Sequence, residues 1–228
     1  MGKNMSIKID KLIRSKRKTV GLEVTPEALL IVRAPRNLSR RQISEIIDKE
    51  SPWILKKQQF FRENHSKIRE KDFIDGEEFL YLGKPYELRV VHDTTDALAV
   101  RDKFFYLSQE CIDNAREVIE GWYQQRAHEL VSERATYYSC LSGITFKKVK
   151  ISDAKKRWGS CGLNGNLNIA WRLVMAPLRV IDYVIVHELS HIEVRNHSKR
   201  FWRKVGSVIP DYKNDEKWLR DNGHFLVV

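Results

Sequence analysis

The stretch Val184-Ile-Val-His-Glu-Leu-Ser-His-Ile-Glu-Val-Arg-Asn-His197 carries the densest set of chemically competent side chains in the 228-residue sequence. His187 and His191 stand four residues apart, with Glu188 beside the first. On an α-helix that spacing puts both imidazoles on one face, where they can bite one metal ion. Glu188 follows His187 by about 100° around the helix axis, so its carboxylate can sit beside the open metal position and take a proton from water. His197 follows His191 after five residues, just past the helical run, where Asn196 and its polar neighbours let the chain turn back. Three of the seven histidines therefore fall within eleven residues. Three neutral imidazoles and one open position describe a catalytic zinc site, because a closed structural site needs a fourth protein ligand. One Zn²⁺ per chain is expected, held by His187, His191 and His197, with Glu188 as general base.

The third ligand has rivals. Glu193 points away on a regular helix. Glu216 lies on a later helical segment, and His224 is near the C-terminus. The spacing to His197 is also that of metzincins, which favours it. Cys161 is read as a small residue in a turn rather than a ligand or redox switch, since three histidines already fill the protein ligand set. His128 has no liganding neighbour in sequence and is read as an ordinary surface or core-edge histidine. Tyr183, Tyr212 and His224 are the candidates to steady an oxyanion. Phe201 and Trp202 are expected to pack on the metal helix and hold the His197 turn.

The elements that must position these residues follow from the sequence pattern. The run PLRVIDYVIV before His187 is apolar on nearly every face, so its helix should be buried. Helices are expected at Pro177–Val194, Ser198–Val208 and Asp211–Asn222. Upstream, NLNIAWRLV alternates and should form a strand beside the site, with Gly159, Gly162 and Gly165 tightening the preceding connection. ITFKKVKIS is a further strand. A long amphipathic helix is expected from about Cys111 to Cys140. The first forty residues read as strands at Ser6–Leu12, Thr19–Val24 and Ala28–Val32. Ser39 then caps a helix, and Ser51-Pro52 opens a second helical stretch. The charged run HSKIREKD is an exposed connection. Two strand pairs follow, with turns at Asp75-Gly76 and Gly83-Lys84-Pro85 in the first, and Ala97–Val100 with Phe104–Leu107 as the second. The fold class is α+β, with a strand-rich accessory region over 1–108 and a zincin-like catalytic domain with a buried H-E-x-x-H helix over 109–228; the two can form one continuous unit.

Composition narrows the class. Hydrophobic residues make up 42% and charged residues 31%, which excludes a wholly disordered chain. No apolar run is long enough for a spanning helix, and the N-terminus has no apolar core of a signal peptide. Three unpatterned cysteines, Cys111, Cys140 and Cys161, suit a reducing compartment, so a cytoplasmic location is expected. The formal net charge is +11. Basic clusters at 14–18, 56–57, 147–148, 155–157 and Lys199-Arg200 make weak nucleic-acid binding conceivable, although no DNA-binding motif is readable.

RWGSCGLNGNLNIAWRLVMAP at 157–177, IDYVIVHELSHIEVRNHSKRFW at 181–202 and PDYKNDEKWLRDNGH at 210–224 together resemble the YgjP-like metallopeptidase domain. The ordered set of a GSC segment, a buried HELxH helix, an HSxxFW segment and a PDY-x-WL ending carries the resemblance. It covers the C-terminal half strongly and the N-terminal half more weakly. That family is similar to SprT-like and WLM proteases, which are tied to DNA–protein crosslink repair. The resemblance implies zinc-dependent hydrolysis of a peptide or protein substrate. Two other readings compete: a basic nucleic-acid-associated module or DNA-stimulated protease, and a non-catalytic structural zinc protein. An intact Glu188 argues against the last, because a structural site has no use for a base.

Overall fold

The computed structural model describes residues 7–64, 71–92 and 96–228. The chain divides into two compact units, the first ending at residue 69.

The first unit holds strands β1 (Lys11–Ser15), β2 (Gly21–Val24) and β3 (Leu30–Pro35) and helix α1 (Arg40–Glu63). The sheet order is β1-β3-β2, with β3 parallel to β1 and antiparallel to β2. Leu30, Val32 and Ala34 alternate along one face of β3 and share a core with Ile43, Ile47 and Ile54 of α1. The first strand begins at Lys11 instead of Ser6, which lies outside the described residues. Ahead of the strand, the Asp10 carboxylate accepts the Leu30 N–H at 2.8 Å. Ser39 caps α1 in a reciprocal box with Gln42. The break expected at Ser51-Pro52 does not occur, and α1 runs through Pro52. Proline cannot donate to the Asp48 carbonyl, and the Ser51 hydroxyl donates to it instead at 2.7 Å. The connection expected at 65–72 lies mostly outside the described residues.

The second unit begins with β4 (Glu78–Tyr81), β5 (Lys84–Val91), β6 (Leu98–Arg101) and β7 (Phe104–Ser108), in the order β4-β5-β7-β6. Phe79, Leu88, Phe105 and Leu107 from these strands share one core with Ile119 and Tyr123 of helix α2 (Ala115–Ser142). The buried Tyr123 hydroxyl donates to the Leu80 carbonyl at 2.6 Å. A second sheet, β8 (Lys148–Ser152), β9 (Gly159–Cys161) and β10 (Asn166–Ala170), has the order β8-β10-β9, which leaves β9 at an edge. Three helices close the chain: α3 (Leu178–Glu193), α4 (Lys199–Val208) and α5 (Tyr212–Asn222).

The strand expected to run to Val174 stops at Ala170, and Trp171–Met175 form a tight 3-10 turn. This turn buries Trp171, Leu173, Val174 and Met175 together. The Trp171 indole N–H donates to Asp153 at 2.8 Å, and its ring stacks on Tyr123. The β4–β5 hairpin docks on the same turn: the Leu82 and Gly83 N–H groups donate to the Val174 and Met175 carbonyls at 3.0 and 2.9 Å. Gly83 has φ +75°, and a β-carbon there would meet Pro177 at 2.7 Å, so only glycine fits. The start of α3 is thereby set by backbone contacts. Its body is held to α2 by a two-pronged pair in which Arg134 reaches the buried Asp182 at 2.7 and 2.8 Å. It is held to α5 by Arg179 and the buried Asp215.

Candidate catalytic metal centre

Val180, Ile181, Val184 and Ile185 are at most 4% exposed, so α3 sits in the core with little of its surface in water. His187 and His191 rise from its C-terminal half, both half-buried, and the chain then turns so that the exposed His197 faces them. One nitrogen from each of the three imidazoles lies within 4.8 Å of the others. Among the described residues no other group of three or more His, Cys, Asp or Glu side chains converges in this way. The Nε2 atoms of His187 and His197 are 3.0 Å apart.

The surroundings keep His187 and His191 neutral and aim the rings. His191 Nδ1 stands 3.1 Å from the Val194 carbonyl, which places its proton there and leaves Nε2 as a lone-pair donor. Burial pushes His187 down to about 3, and it lowers His191 as well. Neutral imidazole is the form that binds a metal, so the donor set suits one. Beneath the three rings lies the fully buried Phe201 of α4, stacked on His191 at 4.5 Å and edge-on to His187 and His197 at 4.8 Å each. Trp202 stacks on His197 at 5.5 Å, Tyr212 on Trp202 at 5.2 Å and Tyr183 on Tyr212 at 6.4 Å. Phe201 and Trp202 thus pack where the sequence placed them.

Glu188 is 5% exposed, and its Oε2 is buried without a hydrogen-bond partner among the described residues. Burial pushes its carboxyl up to about 7, with the Arg157 charge working the other way. A carboxyl near neutrality can both accept and release a proton. Glu188 presses against Gly159 of β9, where a β-carbon would stand 2.6 Å from its Oε1 and Cγ. Gly159 thus lies in a strand rather than in the tight connection that the sequence predicts, and its small size makes room for the carboxylate. The tight turn itself falls at Gly162 and Gly165, where the Gly165 N–H donates to the Gly162 carbonyl at 3.0 Å with φ +78°. Arg195 donates to the Gly162 and Leu163 carbonyls at 3.2 and 3.3 Å, tying this turn to the segment between His191 and His197.

The other candidates are placed as follows. Glu193 is exposed and paired with Lys204 at 2.7 Å. Glu216 is exposed on α5, His224 sits in the short turn Gly223–Phe225, and neither joins the imidazole cluster. Cys161 lies on β9, and burial raises its thiol, which disfavours the thiolate a metal would need. His128 is exposed on α2. Tyr183 is buried with its ring edge toward His187, and burial raises its phenol, keeping the hydroxyl protonated. Gly159, Phe201 as a shared floor, Arg157 and Arg195 were not assigned these contacts from sequence.

No curated protein matches the chain. Among solved structures, the metallopeptidase zymogen of Pyrococcus abyssi abylysin aligns at 20% identity over 40% of this chain and 93% of that one, with a TM-score of 0.37, too slight a likeness to argue from. The family comparison is broader: the model of the YgjP-like metallopeptidase domain matches residues 18–222, across both compact units and every residue of the imidazole cluster. An H-E-x-x-H helix with a third imidazole folded against it, inside a match of that extent, identifies the chain as a member of the YgjP-like metallopeptidase domain family.

Proposed function

We propose that this protein is a zinc-dependent peptidase of zincin-like fold, in which His187, His191 and His197 hold one Zn²⁺ and Glu188 is the general base. The observation that carries the reading is the convergence of three imidazole nitrogens, next in the chain to a buried carboxylate that lacks a hydrogen-bond partner for one oxygen among the described residues. Zinc supplies Lewis acidity, which polarises a scissile carbonyl and brings the pKa of water from about 15.7 toward 7. The remaining work falls to the chain. The Val194 carbonyl orients His191, and Phe201 seats all three rings on a dry surface. Glu188 takes the proton from the attacking water and returns it to the leaving amine. Tyr183, against His187, and Tyr212, one ring behind on Trp202, are candidate hydroxyls to steady the oxyanion. The N-terminal region serves as an accessory that positions substrate. A cytoplasmic setting is supported by three free cysteines.

The deciding experiment is metal analysis of the purified protein joined to cleavage of an unbiased peptide library. About one zinc per chain and reproducible cleavage are expected. Protein that binds no zinc, or that cleaves equally well once stripped of it, overturns the reading.

A second reading, stimulation by nucleic acid, is favoured by Lys155, Lys156 and Arg157, all exposed on the loop that leads into β9. Phosphate contacts make such binding steeply salt-dependent. DNA that fails to bind even at low salt returns the basic surface to a role in solubility.

A further inference from the structure

We propose that the depression between α4 and α5 is a substrate subsite for an acidic side chain, an inference that rests on the peptidase reading above. The depression has a volume of about 720 Å³ and is lined by Lys199, Trp202, Arg203, Tyr212, Lys213 and Glu216. Its floor is aromatic, with Trp202 and Tyr212 stacked at 5.2 Å and 11°. Because Trp202 also stacks on His197, the depression begins one ring away from the imidazole cluster. A peptide lying across the cluster would bring a neighbouring side chain over it.

The rim sets the charge. Lys199, Arg203 and Lys213 stand against the single carboxylate of Glu216, and all four are exposed. Among the described residues none of the three cations is paired with a carboxylate, whereas Lys204 on the same helix is paired with Glu193. Lys199 and Arg203 are four apart on α4, so their heads share a face, with Trp202 beside them. Like charges at that spacing repel, and the first turn of α4 holds no acidic residue to offset the positive end of the helix. An anion placed there relieves both. The aromatic floor accommodates the methylenes of Asp or Glu while the rim meets the carboxylate.

The test separates binding from hydrolysis. Fluorescently labelled peptides that differ only in carrying Glu, Gln or Lys at one position are titrated against the zinc-loaded Glu188→Gln protein, and anisotropy gives each affinity. Exposed charge contacts are individually weak, so three together should give about a tenfold preference for Glu over Gln, and more over Lys. In the same protein carrying Lys199→Glu and Arg203→Glu, the order should reverse, with zinc content and melting temperature unchanged. Equal binding of the three peptides overturns the subsite, as does a preference that survives charge reversal. A short oligonucleotide that displaces the acidic peptide and itself binds more tightly overturns it too, because the surface is then a nucleic-acid face. Library cleavage by the unsubstituted protein is scored in parallel. Cleavage without acidic preference sinks the subsite alone, and acidic preference in binding with no cleavage of any member sinks the peptidase reading.

Discussion

Gly159 of β9 and Glu188 of α3 are fitted to one another: the carboxylate occupies the space that any side chain at 159 would take. Glu188 is buried and cannot swing freely aside. Gly159→Ala should therefore displace the Glu188 carboxylate while leaving the imidazoles in place. A misplacement of about 1 Å can cost about 10²-fold in rate, so kcat/KM should fall by that order with zinc content unchanged. Full activity in this variant, measured on a cleaved library peptide, would show that the carboxylate tolerates displacement.

Replacing Glu188 by Gln keeps the shape and removes the proposed base. Turnover should fall by about 10² to 10⁴-fold. Zinc content and thermal stability should stay near those of the parent, since neither ligands nor core change. Loss of zinc together with activity would make Glu188 a ligand or the support of one.

The ligand assignment is tested by metal content alone. His187→Ala, His191→Ala and His197→Ala should each release zinc on gel filtration, whereas Glu216→Ala should retain it. Retention in His197→Ala with loss in Glu216→Ala would hand the third position to the glutamate on α5.

Arg134 and Asp182 predict a stability effect remote from the chemistry. Arg134→Ala leaves Asp182, 7% exposed, without its partner. Breaking one side of such a pair costs about 3–5 kcal/mol, which in a chain of this size lowers Tm by roughly 10 °C. Asp182→Leu in the same protein should recover part of that loss, because it removes the stranded charge. Calorimetry showing an unchanged Tm in Arg134→Ala would count against the pair as a tether.

Much of the site was legible because a helix writes its face into sequence at intervals of four. The shared face of His187 and His191 was readable for that reason, and the nearness of His197 because it follows directly. The packing of Phe201 on the helix was readable too, but its place under all three rings and the contact of Gly159 with Glu188 were not, since each joins separate elements and sequence spacing carries no record of that approach. The fold shows the same division. Periodicity located α2 and α3 and the two hairpins between 78 and 108. It misjudged Pro52, where a neighbouring hydroxyl serves the carbonyl that proline abandons. It also misjudged 171–175, where four side chains bury together in a 3-10 turn.

Phe201 touches all three imidazoles, and His197 stands two residues ahead of the same short helix. The floor of the site and one of its proposed donors therefore arrive together, on α4 and the two residues that lead into it. If α4 lifts, both are lost at once; if an ion is captured, α4 is pinned. Metal uptake and the docking of this helix are then one equilibrium, and each stabilises the other by the same free energy. Amide-exchange protection along α4 would thus report ion occupancy without a cleavage assay.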